Sequence, residues 1–240
     1  MTKTNRPFAV FDIDGTLIRW QLYHAIVNQL AKSGHVSEQD YVTIRASRMQ
    51  WKKRTYEQSY KDYEKTVIDA FHAAIEDIDQ LTYEHAIDDV LAEHKEQVYT
   101  FTRDLILSLK EKGYVLIAIS GSQHEIVQKL AKFYGFDDAI GNQYQRVGNS
   151  FTSKHTHSFE RKREILEELI TKHQLTSEGS IAVGDSESDI PLLEVVDQPI
   201  AFNPTKELMQ RARSKQWRIV IERKNTVYDL RHSEHGYLLQ

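Results

Sequence analysis

Several residue types and patterns are scarce in this sequence. Its 240 residues include no cysteine, 4 prolines and 10 glycines. The absence of cysteine excludes disulfide bonds and thiolate metal sites, and the scarcity of proline and glycine favours long helices with few breaks. Apolar runs such as residues 8–11 and 115–119 are too short for a membrane span or a signal peptide. We therefore expect a soluble cytoplasmic protein with no membrane span.

Charge of either sign is not in large excess. The chain has 31 Lys and Arg against 35 Asp and Glu, a formal net charge of -4, and 40% hydrophobic residues. This composition is typical of a folded globular protein and argues against both a disordered chain and a globally basic nucleic-acid binder. The length allows one large domain or two small ones. No nucleic-acid partner is expected, and the oligomeric state stays open.

Short apolar runs alternate with helical patterns along much of the chain. The runs are rich in Val, Ile and Ala and end in small or polar residues. They cover residues 8–14, 114–120, 180–185, 199–203 and 217–222. Continuous apolar runs of this length are typical of strands buried on both faces of a parallel sheet. The alternation predicts an α/β fold, a doubly wound parallel sheet in three layers.

Local signals also predict two helix starts and one chain end. Ser122 and Glu125 have the spacing of a capping box. Asn203 followed by Pro204 is the pattern of an N-cap and a first-turn proline. The tail from Arg231 is predicted to be a weakly ordered terminus.

Residues 20–98 differ in texture from the rest of the chain. They contain no convincing strand, are rich in charged residues and Tyr, and carry apolar side chains at helical spacing, as at Ile26 and Leu30. We predict a helical insertion over 20–98 and a sheet domain made from 1–19 and 99–240. The basic run 45–54 is predicted to be a solvated helix face, although a contact with an anion stays open.

Acidic side chains and a hydroxyl follow the ends of three predicted strands. They are Asp12 and Asp14, Ser120 followed by Gly121, and Asp185 with Asp189. Ligands of open α/β sheets bind beyond the carboxyl ends of the strands, so these groups should converge. Clustered carboxylates are costly without a cation, and oxygen ligands without His or Cys suit Mg²⁺. The sequence therefore predicts a magnesium site.

Four stretches, in order, resemble the motifs of the haloacid dehalogenase superfamily, in its phosphoserine-phosphatase-like branch. They are FDIDGTL at 11–17, IAIS at 117–120, Lys162 within ERKREILEEL, and GDSESDIPLL at 184–193. IAFNP at 200–204 is similar to the branch as well. Each piece alone is weak, but the ordered set is specific. The resemblance implies a Rossmann-like core with a helical cap inserted directly after the first motif.

The resemblance implies phosphoryl transfer through an aspartyl-phosphate. Asp12 would attack phosphorus, and Asp14 would protonate the leaving oxygen and then activate water. Ser120 would donate a hydrogen bond to the phosphoryl group, and Lys162 would offset its charge. Thr16 and Gly121 complete the implied phosphate-binding set. Lysine at a helix start is usually a solvated surface charge, so the role of Lys162 depends on the resemblance.

The resemblance also implies the ligands of the metal ion. Mg²⁺ would be held by the Asp12 side chain, the Asp14 backbone carbonyl and Asp185. Asp189 would orient this set through water or as an outer partner. A catalytic role for any of these acids depends on the whole set, because a single acid near a helix start is often only a cap.

The match to phosphoserine phosphatases fails at the residues that would contact the leaving group. Gln21 stands where those enzymes have glutamate, and Tyr63 stands where an arginine for the substrate carboxylate is expected. Losing both charges argues against phosphoserine as the substrate. Trp20, Gln21, Tyr23 and Tyr63 are the candidates for substrate specificity, and they favour a less charged or partly apolar leaving group. Ser188 replaces an asparagine found in many relatives.

We predict a Mg²⁺-dependent phosphomonoester hydrolase that acts on a small phosphorylated metabolite other than phosphoserine. The alternatives are a phosphomutase of the same superfamily and a catalytically silent metabolite- or partner-binding module. A silent relative is expected to lose an acid from the motifs, and none is missing. A phosphoacceptor signalling domain fits less well, because the large insertion would obstruct its docking surface.

His155 and His157 alternate in a short polar stretch. In a strand they would share a face, as a transition-metal pair requires. No third ligand is evident in the sequence. We therefore predict that they lie on a surface loop or hairpin near the entrance of the site.

Overall fold

The computed structural model describes residues 6–239, and the chain divides into two compact units. The first, here called the sheet unit, contains Met1–Trp20, Lys95–Asn142 and His157–Gln240. The second, the helical unit, contains Gln21–His94 and Gln143–Thr156. Residues 143–156, which the sequence analysis assigned to the sheet domain, thus cluster with the helical insertion.

Strands and helices alternate through much of the sheet unit, whereas four consecutive helices follow β1 and belong to the helical unit. The strands are β1 (Pro7–Phe11), β2 (Val115–Gln123), β3 (Asp138–Asn142), β4 (Tyr144–Val147), β5 (Ser150–His155), β6 (Thr176–Gly184), β7 (Gln198–Phe202), β8 (Arg218–Arg223), β9 (Thr226–Ser233) and β10 (Gly236–Leu239). The helices are α1 (Leu22–Lys32), α2 (Glu38–Lys53), α3 (Ser59–Ile75), α4 (Gln80–His94), α5 (Thr100–Glu111), α6 (His124–Tyr134), α7 (Lys162–His173), α8 (Ile190–Leu193) and α9 (Lys206–Lys215).

The sheet unit is an α/β fold with a mostly parallel sheet, as predicted. Within residues 6–239, eight strands form one sheet in the order β10-β9-β8-β7-β6-β1-β2-β3. Strands β3, β2, β1, β6, β7 and β8 run parallel, and β9 and β10 add an antiparallel edge. The prediction of a weakly ordered tail from Arg231 was wrong. Residues 231–233 continue β9 and pair with residues 236–238 of β10, whereas β9 pairs with β8 through its earlier residues, 226–230.

The core of the sheet unit explains why the predicted strands form. Phe8 and Val10 lie two residues apart on β1, as do Ile117 and Ile119 on β2, so each pair shares one face of the sheet. All four are completely buried and pack with the apolar side of α7, which includes Leu166. Burial of this continuous apolar surface leaves the polar strand ends at one edge of the sheet.

Both predicted helix starts differ from the structure. Helix α6 begins at His124 after Gln123, whose side chain caps nothing, so the predicted capping box at Ser122 was wrong. Helix α9 begins at Lys206, and the hydroxyl of Thr205 caps it by accepting from Leu208 N–H. Asn203 instead has a left-handed backbone, with φ of 42°. Its side chain accepts from Glu222 N–H, a bond between strands that local sequence does not reveal.

Glu222 is a buried carboxylate at the end of β8 that ties two chain segments together. It accepts from Thr100 N–H at 3.1 Å and Phe101 N–H at 2.8 Å, at the start of α5. Its other contact is with the Arg19 guanidinium at 2.5 Å. Arg19 N–H in turn donates to the Gln97 carbonyl at 2.9 Å. One carboxylate thus contacts the chain segment before α1 and the segment that follows α4.

Replacing Glu222 by glutamine is expected to destabilise the protein by about 1.5–3 kcal/mol at pH 7, because hydrogen bonds to a charged group are lost. Burial alone would raise the pKa of Glu222, but hydrogen bonds from the start of α5 and from Arg19 hold it below 4.5, its ordinary value. Because the pKa of Glu222 is lower in the folded than in the unfolded state, its ionised form stabilises the fold when the pH is above the unfolded-state pKa. This stabilisation is lost as the pH falls through the folded-state pKa.

Chemical denaturation of wild type and Glu222→Gln at pH 7 and at lower pH checks this expectation. The two proteins should differ at pH 7 and converge as the pH falls below about 4. Glu178→Gln is the matched control, because Glu178 is an exposed residue of β6. The stability of this variant should equal that of wild type at every pH. A difference between wild type and Glu222→Gln that is independent of pH would contradict the electrostatic explanation.

The helical unit buries an aromatic cluster that joins its helices to the β4–β5 hairpin. Tyr144 of β4 lies 3.1 Å, oxygen to oxygen, from Tyr23 of α1 and 3.1 Å from Nε2 of His72 on α3. Phe151 of β5 packs edge-on against Tyr83 of α4 with ring centroids 4.9 Å apart. These contacts join residues that are far apart in sequence. They explain why the hairpin groups with the helices.

Two sequence features fall in or beside the helical unit. The basic run 45–54 lies largely in α2 and is mostly exposed, as predicted. His155 lies in β5, where its ring stacks on Tyr144 at 4.7 Å, whereas His157 belongs to the sheet unit. Among residues 6–239, no helix is both long and apolar enough to cross a bilayer.

Candidate active site

The turn after β1 brings the first motif against the end of β6. Gly15 has a φ of 82°, a left-handed conformation that favours glycine. A Cβ at this position would lie 2.2 Å from Oδ2 of Asp185. Glycine is therefore required both for the turn and for the close approach of the Asp185 carboxylate. The FDIDGT stretch thus places Asp12 and Asp185 in one cluster, although they are far apart in sequence.

Lys162 is a buried cation at the first residue of α7. Its side chain is 2% exposed. Its Nζ donates to Oδ1 of Asp12 at 2.7 Å and to Oδ1 of Asp189 at 2.5 Å. Burial alone would lower the pKa of Lys162, but the two carboxylates raise it above its ordinary value. The structure therefore places a charged lysine between the first and fourth motifs.

Asp189 has both side-chain oxygens occupied by hydrogen bonds. Its Oδ1 accepts from Lys162, and its Oδ2 accepts from the N–H groups of Asp185 and Ser186, each at 3.0 Å. Gly184 permits this turn, because a Cβ there would lie 2.3 Å from Cβ of Asp189. Asp189 therefore organises the loop that carries Asp185 and orients Lys162.

Asp12, Asp185 and Asp189 form a cluster of oxygen ligands. One carboxylate oxygen from each lies within 4.8 Å of the others. Burial is the main cause that raises the pKa of Asp12 and of Asp185, and the neighbouring carboxylates raise it further. Lys162 opposes this shift but is a single cation among several acids. A further cation would therefore stabilise the ionised cluster.

The donor set fits Mg²⁺. Within the described part of the chain, no hydrogen bond reaches either side-chain oxygen of Asp185 or the Oδ2 of Asp12. These are hard oxygen donors, and no His or Cys joins the cluster among residues 6–239. Asp12 and Asp185 thus have the oxygens that a magnesium ion would take.

Ser120 and Asp14 are in direct contact. The Ser120 hydroxyl donates to Oδ2 of Asp14 at 2.8 Å and accepts from Ser122 N–H at 2.9 Å. Donation from this hydroxyl to a phosphoryl oxygen stays a prediction. The contact places the second motif beside the first, as the strand ends predicted.

Thr16 and Gly121, the other two predicted phosphate-binding residues, both belong to the sheet unit. Thr16 is completely buried, and within residues 6–239 its Oγ1 has no hydrogen-bond partner. Its carbonyl accepts from Thr102 Oγ1 at 2.9 Å. Gly121 follows Ser120 directly, and its carbonyl accepts from Asn142. The predicted catalytic, metal and phosphate-binding residues thus all belong to the sheet unit.

The predicted specificity residues lie elsewhere in the chain. Trp20 is the last residue of the first segment of the sheet unit, and Gln21 is the first of the helical unit. Tyr63 is 2% exposed and stacks on Trp51 with ring centroids 5.3 Å apart. Tyr23 is buried in the aromatic cluster. Tyr23 and Tyr63 therefore both contribute to the packing of the helical unit.

Two buried polar residues that the sequence analysis missed contact the second motif. Asn142 ends β3, and Ser158 begins the short 3₁₀ turn that precedes α7. Both hydrogen-bond to carbonyl groups of Ser120 or Gly121. No local signal marks either residue. Only the pairing of β3 with β2 and the packing of the 3₁₀ turn bring them together.

Comparison with known proteins finds relatives over most of the chain. The family model for haloacid dehalogenase-like hydrolases matches residues 9–194. A histidinol-phosphatase of Neisseria meningitidis serogroup C (strain 8013) is 25% identical over 236 residues, which cover 90% of this chain and 98% of that protein. A phosphoserine phosphatase of Archaeoglobus fulgidus is 26% identical over 211 residues, which cover 84% of this chain and 53% of that protein.

Solved structures share the fold. A protein of unknown function from Bordetella pertussis Tohama I superposes with a TM-score of 0.73 at 18% identity, covering 91% of this chain and 99% of that one. The phospho-aspartyl intermediate analogue of a phosphoserine phosphatase gives a TM-score of 0.61 at 22% identity, covering 92% and 95% of the two chains. At these identities the structures support the α/β fold alone.

Proposed function

The chain belongs to the haloacid dehalogenase-like hydrolase family and is a phosphatase, and from this premise we propose that it hydrolyses a small phosphomonoester through an aspartyl-phosphate on Asp12. One observation carries the proposal. The buried Lys162 Nζ lies 2.7 Å from Asp12 and 2.5 Å from Asp189, within the acidic cluster that also contains Asp185.

Asp12 is the proposed nucleophile. Lys162 contacts Oδ1 and holds the carboxylate in one orientation. Oδ2 is then left for Mg²⁺, and Oδ1 attacks phosphorus. A bond forms between this oxygen and phosphorus as the ester bond from phosphorus to the leaving oxygen breaks. Water then attacks the acyl phosphate, which releases phosphate and restores the carboxylate. Lys162 offsets the negative charge of both steps.

Asp14 is the proposed general acid and base. It gives a proton to the leaving oxygen in the first step and takes one from water in the second. Ser120, which donates to Asp14 at 2.8 Å, restricts the rotation of that carboxylate. Its hydroxyl is proposed to donate to a phosphoryl oxygen when substrate is bound. Thr16 and Gly121 are proposed to contact the phosphate.

We propose that Asp12, Asp185 and the Asp14 carbonyl hold Mg²⁺, with Asp189 orienting the loop that carries Asp185. When bound, the ion would supply positive charge to the acids and to the phosphoryl oxygens. Family members generally use Mg²⁺, and the oxygen-only donor set of the cluster agrees with this ion.

Replacing Asp14 by asparagine is expected to slow hydrolysis of an alkyl phosphate by about 10²–10⁴-fold, since an alkoxide leaves poorly without a proton. An aryl phosphate should lose only about tenfold, because an aryl oxide needs less protonation. The measurement compares kcat/KM for the two substrates in the same variant, which cancels any loss of folded protein. Equal losses with both substrates would refute the acid role.

The proposed substrate is an amino-alcohol phosphate without a carboxylate, and histidinol phosphate is the first to test. The relative matched over 98% of its length is named a histidinol-phosphatase. Tyr63 stands where a phosphoserine phosphatase is expected to have the arginine that meets the carboxylate. Histidinol phosphate has an imidazole ring and no carboxylate, so it does not need that arginine.

The helical unit is proposed to act as the cap that selects the leaving group. Trp20 and Gln21 lie where the chain first passes from the sheet unit into the helical unit. A cap with this role must open to admit substrate and, after the leaving group departs, the water that hydrolyses the acyl phosphate. The compartment proposed for this chemistry is the cytoplasm. A nucleic-acid partner is not proposed.

The test is phosphate release from histidinol phosphate, phosphoserine, an aryl phosphate and a hexose phosphate, each with Mg²⁺ and with chelator. We expect release only with Mg²⁺, and a kcat/KM for histidinol phosphate that exceeds the value for phosphoserine by about tenfold or more. Thermal unfolding should show a higher melting temperature with Mg²⁺, because the ion binds the folded state.

Each other outcome favours a different function. Isomerisation of the hexose phosphate that exceeds its hydrolysis would favour the phosphomutase. Intact aryl phosphate in every condition would favour a silent binding module. Undiminished release in chelator would remove Mg²⁺ from the mechanism.

A further inference from the structure

We propose that Asn142 and Ser158 are positioning residues, which hold the Ser120–Gly121 segment in the orientation that binds the phosphoryl group. The inference rests on the proposed phosphatase function. Neither side chain belongs to the acidic cluster, and both are almost fully buried, Asn142 at 4% and Ser158 at 2% exposed. They act on the site through backbone groups.

Asn142 uses both ends of its side-chain amide. Its Nδ2 donates to the Gly121 carbonyl at 2.7 Å, and its Oδ1 accepts from Ser158 N–H at 2.7 Å. The opposite orientation of the amide would set an acceptor against a carbonyl and a donor against an N–H. The partners therefore determine one orientation, in which a single side chain joins the second motif to the turn before α7.

Ser158 contacts the neighbouring peptide group. Its hydroxyl lies 2.5 Å from the Ser120 carbonyl and 2.6 Å from Oδ1 of Asn142. Because Oδ1 of Asn142 already accepts from Ser158 N–H, we assign the single hydroxyl proton to the Ser120 carbonyl. Two consecutive carbonyls, those of Ser120 and Gly121, are thus bound by side chains from outside β2.

Binding these carbonyls also orients the N–H groups of the same peptides. In a trans peptide the carbonyl and the N–H point in opposite directions, and no cis peptide bond occurs among the described residues. Gly121 N–H therefore points away from Ser158. Ser122 N–H points away from Asn142 and donates to the Ser120 hydroxyl at 2.9 Å. In this proposal Gly121 N–H faces the phosphoryl group, while Ser122 N–H fixes the Ser120 hydroxyl that also binds it.

The same two residues connect the phosphate-binding segment to Lys162. Ser158 begins the 3₁₀ turn, and its carbonyl accepts from Arg161 N–H at 3.2 Å, directly before Lys162. A shift of the turn would therefore move both the Ser120–Gly121 segment and the start of α7. The positions of two phosphate-binding groups thus depend on one pair of side chains.

The experiment compares Ser158→Ala with Ser180→Ala in the full-length protein. Ser180 is a matched control, because it is also completely buried and its hydroxyl donates to a backbone carbonyl, that of Ser177, at 2.6 Å. It lies outside the proposed site. The measurements are the dissociation constant for inorganic phosphate with Mg²⁺, KM and kcat for an aryl phosphate, and the melting temperature.

We expect Ser158→Ala to weaken inorganic phosphate binding and to raise KM by about tenfold, the equivalent of one hydrogen bond. Ser180→Ala should leave both values unchanged even where its melting temperature falls by a similar amount. Ser158→Thr, which keeps the hydroxyl, should restore phosphate binding. Asn142→Asp, which sets an oxygen against the Gly121 carbonyl, should weaken it as Ser158→Ala does.

Unchanged phosphate affinity in Ser158→Ala overturns the inference, as do equal changes in Ser158→Ala and Ser180→Ala. Wild-type protein that releases phosphate from the aryl ester and binds inorganic phosphate establishes that the proposed function holds in either case. Wild-type protein that does neither overturns the proposed function, and the inference with it.

Discussion

Replacing Asp12 by asparagine is expected to reduce phosphate release by about 10⁴-fold or more, because an amide oxygen cannot form the acyl phosphate. The fold should be retained. Asparagine has nearly the shape of aspartate, and Lys162 keeps its second partner, Asp189, at 2.5 Å. The substitution also removes one negative charge from a cluster in which burial and neighbouring acids already disfavour ionisation.

The measurement is kcat/KM for an aryl phosphate and for histidinol phosphate, together with the melting temperature in chelator. Asp229→Asn is the matched control, since Asp229 also pairs with a cation, Arg218 at 2.7 Å, but on β9. That variant should keep wild-type activity. A normal rate in Asp12→Asn would exclude Asp12 as the nucleophile.

Replacing Lys162 by methionine is expected to have a large effect on both activity and stability. Loss of the ammonium should lower kcat by about 10²–10³-fold, as for other groups that stabilise developing charge. It also leaves the buried carboxylates of Asp12 and Asp189 without their cation. Breaking a buried ion pair from one side costs about 3–5 kcal/mol.

The destabilisation of Lys162→Met should depend on pH. Without the lysine, the folded-state pKa of Asp12 rises further above 3.8, its ordinary value. An acid with a raised folded-state pKa costs the least stability when it is protonated in both states, and this cost grows as the pH rises above the unfolded value. The variant should therefore differ most from wild type at pH 8 and less at pH 5.

Denaturation of wild type and Lys162→Met in chelator at the two pH values measures this dependence. Lys172→Met is the matched control, because Lys172 lies on the same helix and contacts Asp138 at 2.7 Å, but its side chain is 62% exposed. Its loss should cost at most about 1 kcal/mol. A Lys162 variant that is as stable and as active as the Lys172 variant would contradict the assignment of a charged, buried lysine.

The parallel part of the fold could be predicted because its signals are local. Continuous apolar runs predicted β1, β2, β6, β7 and β8, and each lies in the sheet of the sheet unit. Strands β9 and β10 were missed because their side chains are exposed or only half-buried and form no continuous apolar run. Strand β9 pairs with β8, and β10 pairs with β9, and no local pattern encodes this pairing.

The boundary of the helical unit shows a similar division. The helical spacing of residues 20–98 indicated an insertion, and the structure groups Gln21–His94 together. The hairpin residues 143–156 join that unit because Tyr144 and Phe151 pack against its aromatic side chains. Such contacts between distant residues form only when the chain has folded.

The candidate site could be predicted at those residues where acidic or hydroxyl side chains follow the ends of apolar strands. Asp12, Asp14, Ser120, Asp185 and Asp189 were identified from short polar stretches after apolar runs. Lys162 was placed by resemblance, and the structure adds that it is buried between two carboxylates. The sequence could not distinguish this position from a surface lysine, because burial depends on how α7 packs against the sheet.

By itself, the sequence determined the α/β class, the strand ends that carry the acids and the glycines that their turns require. These follow from hydrophobic periodicity and from backbone sterics, which act over a few residues. Only the tertiary structure decided that Tyr63 is part of a packed interior, that Glu222 holds two chain segments, and that Asn142 and Ser158 bind the Ser120–Gly121 carbonyls. Each of these roles comes from buried polar or aromatic groups that must find partners far away in sequence.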